Sequence, residues 1–99
     1  MEKRTDYETR AELLKTIAHP LRLQIVHDLL AAGCRNVRCM EAHTGMSQSC
    51  ISQHLQRLRT AGVVAAERVG NEVYYRASSR EAAEVVAALM GEEAKGSVL

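Results

Sequence analysis

One proline and six glycines punctuate this chain, and Pro20, Gly33, Gly45, Gly62 and Gly70 each fall where an apolar pattern breaks. The intervals leave room for helices of a few turns and for brief strands, but not for a long helix or a wide sheet. Thr5 with Glu8 has capping-box spacing, and Tyr7, Ala11, Leu14 and Ala18 then recur at helical intervals, predicting a helix over 5–18. His19 caps the next helix and Pro20 occupies its first position, where a missing N–H costs nothing. From Leu21 to Ala32 apolar residues cover most of the circumference, so this helix is central and buried. Arg22 lies among them and must meet a carboxylate or carbonyl groups. Asn36 caps a third helix over Val37–Thr44, closed by Gly45.

Ser47 caps the fourth helix, SQSCISQHLQRLRT, which runs to Thr60. At about 100° per residue, Ile51, Leu55 and Leu58 share one narrow stripe, while Ser49, Gln53, Gln56 and Thr60 gather opposite. One side packs and the other is free to read something. Its hydroxyls and carboxamides can donate to and accept from base edges, Arg57 and Arg59 can meet phosphates, and no carboxylate interrupts them. After Gly62 the period changes. VVAAERV and EVYYRAS have β character and are separated by Gly70-Asn71, a pair suited to a two-residue hairpin turn. Ser78 with Glu81 repeats the capping-box spacing and opens a last helix to about Met90, with Ala82, Val85, Val86 and Leu89 on one face. The order ααα-α-ββ-α predicts a mostly α fold with a small β-hairpin: a winged helix-turn-helix forming a single DNA-binding domain over 1–99, frayed at 1–4 and 91–99.

The chain has no Trp and no Phe, so a thin core of Leu, Val, Ile, Ala and Met makes dimerisation an obvious way to bury more surface. The formal net charge of +1 hides a division. Residues 47–80 set five arginines against Glu67 and Glu72, whereas residues 81–99 set four glutamates against Lys95. A basic face with an acidic end kept apart suits a polyanionic partner. Three cysteines and no apolar leader point to the cytoplasm, and no apolar run approaches the ~20 residues of a membrane span. No Ser/His/Asp arrangement, phosphate-cradling glycine loop or carboxylate pair suggests an enzyme.

Together, LLKTIAHPLRLQIVHDLL, GMSQSCISQHLQRLRTAGVV and VGNEVYYRAS resemble, in this order and at these spacings, the ArsR/SmtB family of small bacterial winged-helix repressors. The resemblance implies a homodimer joined by the first and last helices through the Ala11/Leu14/Ala18 and Ala82/Val85/Val86/Leu89 faces. It also implies a double-stranded DNA operator of imperfect palindromic form and an inducer that releases it. By position, Gln48, Ser49, Ser52, Gln53 and His54 match the DNA-reading segment, which Arg57 extends, and Arg68, Asn71 and Arg76 match the wing. Two family metal sites are missing. The thiolate positions of the Cys-x-Cys-Asp pattern hold Asn36 and Arg38, and residues 79–99 contain no Asp, His or Cys.

Cys34 lies just past the second helix and Cys39 on the first turn of the third. A helix N-terminus, Arg35 and Arg38 surround Cys39 with positive charge. One expectation is a thiol switch, in which an oxidant, persulfide or other sulfur electrophile acts on Cys34 and Cys39, shifts the third helix and tilts the fourth. Another is two inert, semi-buried cysteines. A third is a thiophilic metal held by Cys34, Cys39 and His43, since Cys39 and His43 are i and i+4 on one helix face. Cys50 packs against the third helix or, facing outward, offers a modifiable thiol beside DNA. The rival reading from another class is a winged helix whose Gln/Ser face docks onto a protein.

Overall fold

The computed structural model describes residues 5–91. The tails read as frayed therefore lie outside the described residues, Gly91 excepted, as does the side chain of Thr5 in its expected capping box. Helices α1 (Thr5–Ile17), α2 (Pro20–Ala32), α3 (Val37–Thr44) and α4 (Gln48–Thr60) precede strands β1 (Val64–Val69) and β2 (Glu72–Ala77), and helix α5 (Arg80–Leu89) follows. The helix starts are made by side chains that take up amide groups left unpaired in a first turn. His19 Nδ1 accepts the Leu21 N–H at 3.1 Å, Asn36 Oδ1 the Cys39 N–H at 2.9 Å, and Ser47 Oγ the Cys50 N–H at 3.2 Å. At its far end α2 stops because Gly33, at φ +91°, turns its N–H back to the Leu29 carbonyl, a conformation that a Cβ would strain.

The start of α5 differs by one residue from expectation. Its cap is Ser79, whose Oγ accepts the Ala82 N–H at 3.1 Å. Ser78 is committed to the base of the hairpin: its N–H donates to the Val63 carbonyl and its Oγ to the Gly62 carbonyl.

Helix α2 is central, supplying Leu21, Ile25, Val26 and Leu29 to the core. Around it close Met40 of α3, the Ile51/Leu55/Leu58 stripe of α4, Val63 and Val64, and Ala82 and Val86 of α5. Each side chain of that α4 stripe is no more than 1% exposed, and its burial contributes roughly 1.5–3 kcal/mol. The faces expected to join two copies are only partly free. Ala82 and Val86 belong to the protomer's own core, because α5 packs on α2. By contrast Tyr7 is 89% exposed, Leu14 54% and Leu89 67%, and Ala18 lies just past the end of α1.

The hairpin is antiparallel, with Val64 opposite Ala77 and Val69 opposite Glu72, and its two-residue turn is Gly70-Asn71. A further rung was not legible in the sequence. Arg35, in the turn between α2 and α3, pairs with Tyr75 of β2 as an isolated antiparallel bridge, each N–H donating to the other's carbonyl at 3.0 and 2.8 Å.

Candidate nucleic-acid interface

The α4 cap and its buried stripe together decide what the helix shows to solvent. With Ile51, Leu55 and Leu58 inward, Gln48, Ser49, Ser52, Gln53, Gln56, Arg57, Arg59 and Thr60 are all exposed. His54 is half-buried at the edge of this surface. Cys50 is half-buried and packs against the core, which leaves less of its thiol facing outward. An open groove of about 540 Å³ runs from Asn36 and Arg38 past Gln48 and Ser52 to Asn71 and Glu72, joining α3, the start of α4 and the wing. Exposed donors from α3, α4 and the wing thus border one concavity, with Glu41 and Glu72 on its α3 and β2 sides.

The wing residues Arg68, Asn71 and Arg76 are exposed as well. The register separates the two arginines. Arg68 stands opposite Val73 and shares a face with Ala66 and Tyr75, whereas Arg76 stands opposite Ala65 and shares the other face with Glu67 and Tyr74.

Arg22 meets both a carbonyl, as expected, and an imidazole. Its Nη1 donates to the Thr16 carbonyl at 2.8 Å and its Nε to His54 Nδ1 at 3.2 Å. The His19 ring lies against His54, with centroids 4.4 Å apart. Partial burial, then the charges of His19, Arg22 and Arg57, lower the His54 pKa below its ordinary 6.5. No spacing rule connects positions 22 and 54. The only signal was an arginine on an apolar helix that needed a partner.

The cysteine turn is tied to the wing. Asn36 caps α3 with its Oδ1 and donates from Nδ2 to Glu72 Oε1 at 2.8 Å. Hydrogen bonds from Asn36 and then Tyr74, with the charge of Arg38 added, hold the Glu72 carboxyl below its usual pKa. The Tyr74 phenol is raised, first by its hydrogen bond to Glu72 and last by the nearby Cys34 and Cys39. Both cysteines are free thiols, Cys34 exposed and Cys39 half-buried.

One expectation about this turn is corrected. Among the described residues, no three His, Cys, Asp or Glu side chains gather closely enough to hold a metal ion, so Cys34, Cys39 and His43 do not form a three-ligand site. His43 Nδ1 instead lies 3.4 Å from Asp28 Oδ2. Arg35 Nε lies 3.0 Å from the same Asp28 oxygen, off the axis of a good hydrogen bond. Asp28 attracts both groups because it is the half-buried acid at the C-terminal end of α2, where the turn and α3 converge.

Residues 19–66 match the family described as bacterial regulatory protein, arsR family. Rv0081, an uncharacterized HTH-type transcriptional regulator of Mycobacterium tuberculosis, is 41% identical over 88 residues, which span 88% of this chain and 76% of that protein. The structure of the transcriptional repressor PagR of Bacillus anthracis superposes with a TM-score of 0.82 at 36% identity, over 88% of this chain and 99% of that one. HlyU from Vibrio cholerae does so with a TM-score of 0.82 at 34% identity, over 92% and 96%. The proteins matched are regulators rather than enzymes. No helix among the described residues is long and apolar enough to cross a membrane.

Proposed function

The chain belongs to the arsR family of bacterial regulatory proteins, the ArsR/SmtB-type winged helix-turn-helix regulators, and from that premise we propose that it represses transcription in the cytoplasm as a homodimer seated on a DNA operator. The reading rests on one observation above the rest: an acid-free row of exposed amides and hydroxyls on α4, held out by a fully buried stripe. Gln48, Ser49, Ser52 and Gln53 read base edges in the major groove, His54 and Arg57 meet the backbone, and Arg68, Asn71 and Arg76 meet sugar-phosphate beside it. Tyr7, Leu14 and Leu89 supply exposed apolar surface on the first and last helices, which supports pairing of two copies there.

The inducer is thiol-reactive and acts at Cys34 and Cys39. In the oxidative form of this step the two thiols pass two electrons and two protons to a peroxide, the S–S bond forms, and hydrogen peroxide leaves as two waters. What supports a regulatory outcome is the bonding of that turn to β2, through Arg35 to Tyr75 and through Asn36 to Glu72. A change at the thiols then reaches the wing as directly as it reaches α4.

The test is an operator titration of reduced protein across a salt series, repeated after peroxide and after polysulfide, with Cys34→Ser and Cys39→Ser alongside. Affinity is expected to fall steeply with salt and to fall again on thiol treatment in wild type only. A salt-insensitive complex, or equal affinity for operator and random duplex, would overturn the DNA reading. Unchanged affinity after every thiol treatment would overturn the inducer.

A further inference from the structure

His54 differs from the rest of the α4 surface in being wired into the protein. Its Nδ1 accepts from Arg22 Nε at 3.2 Å, and an imidazole nitrogen that accepts carries no proton. The one proton of the neutral ring therefore sits on Nε2. A second proton on His54 would have to enter at Nδ1, displacing the Arg22 guanidinium and adding charge beside His19, Arg22 and Arg57. Arg22 is itself anchored, because its Nη1 donates at 2.8 Å to the Thr16 carbonyl in the last turn of α1, one of the carbonyls that a helix end leaves unpaired.

We propose that Arg22 is a positioning residue that locks His54 in the neutral Nε2–H form, making His54 a directional, uncharged donor to a DNA phosphate oxygen instead of a counterion. The inference rests on the reading of α4 as the DNA-contacting helix and adds to it the state and the support of one contact. A phosphate is the acceptor because His54 lies half-buried at the rim, beside Arg57 and toward the α1–α2 corner, away from the exposed centre where Ser49 and Gln53 stand. The consequence is mechanical. Phosphate, His54, Arg22 and the end of α1 form one line, so the docking angle of α4 is set against the helix proposed to join the two copies.

The experiment has two arms. In the first, the free protein is labelled with ¹⁵N-histidine, and the imidazole nitrogens of His54 are assigned at pH 7.5 by comparison with His54→Gln. The neutral Nε2–H pattern is expected in wild type and a mixture of tautomers in Arg22→Met. An Nδ1–H or doubly protonated wild-type ring overturns the lock. In the second, operator affinity is measured over a salt series for wild type, Arg22→Met, His54→Ala, His54→Gln and the double variant Arg22→Met/His54→Ala, each checked for folding by circular dichroism.

Arg22→Met and His54→Ala should each lose about tenfold in affinity, and the double variant no more than either. His54→Gln should recover most of the loss, because a carboxamide can accept from Arg22 and still donate outward. The salt slope should be the same in wild type and His54→Gln, whereas loss of a cationic contact would reduce it by about 0.9. Additive losses or a reduced slope overturn the proposal. No DNA binding by wild type would instead overturn the reading of α4 and the phosphate contact with it, while the tautomer is decided separately in the free protein.

Discussion

Helix α4 and the turn from Cys34 to Asn36 are both short polar stretches at the surface, yet they are held in opposite ways. The outward groups of α4 stand over a fully buried stripe of Ile51, Leu55 and Leu58, so most of what the helix displays is separable from what keeps it folded. The turn has no such division. Asn36 caps α3 and bonds β2 with one side chain, and Arg35 pairs with Tyr75 while facing Asp28. A recognition surface gains from the first arrangement because its side chains can vary freely. A transmitting element gains from the second, because a change at one atom is felt across three elements.

The sharpest way to break the comparison is within α4. Leu55→Ala should cost about 2–5 kcal/mol of stability, read as a lowered denaturant midpoint, and lose DNA binding only through unfolding. Gln53→Ala should leave the midpoint within about 0.5 kcal/mol yet lower operator affinity by about 1–3 kcal/mol. If both variants moved stability and affinity together, the separation would be false.

In the turn the two properties should move together. Asn36→Ala removes a cap and the donor to Glu72, and should cost about 1–2 kcal/mol in chemical denaturation. Asn36→Asp keeps the cap oxygen, loses the donor and sets a second carboxylate against Glu72, so it should recover only part of the loss. Full recovery would show that the link to the wing carries nothing.

Smaller still is a pH effect at the rim of α4. His54 titrates below its ordinary 6.5 in the folded protein, so between the two values the unfolded chain binds the extra proton more readily. The stability that His54 contributes as a neutral group is present above about pH 6.5 and falls as pH drops toward the folded value. Thermal midpoints followed from pH 7.5 to 5.5 should decline, and less so in His54→Gln. An identical decline in the variant would assign the effect to other groups.

The smallest expected difference lies between the two wing arginines. They occupy opposite faces of the hairpin, so Arg68→Ala and Arg76→Ala should change the salt slope of operator binding unequally, one of them by about 0.9. Equal changes would mean that the two faces of the wing meet the backbone alike.

Much of the architecture was legible in the residue pattern. The α4 stripe followed from helical spacing, the caps at His19, Asn36 and Ser47 from side chains able to accept an amide two or three residues on, and the hairpin from Gly70-Asn71. The one-residue error at Ser78 and Ser79 shows where that reasoning stops. Either serine can cap, and the choice fell to Gly62 and Val63, whose carbonyls claimed Ser78. The apolar intervals of α1 had a similar weakness: Tyr7, Ala11 and Leu14 repeat correctly but face solvent, while Leu13 and Ile17 pack inward.

By itself the sequence determined the kind and order of the elements and the polar row that α4 presents, because helical and strand periods, caps and tight turns act over two to four residues. Tertiary structure alone decided that Arg22 holds His54, that Arg35 joins the wing, that His43 faces Asp28, and that Arg68 and Arg76 point apart. Those outcomes depend on partners up to some forty residues distant in the chain, brought together only when the core around α2 closed and each half-buried polar group took whichever partner the packing left within reach.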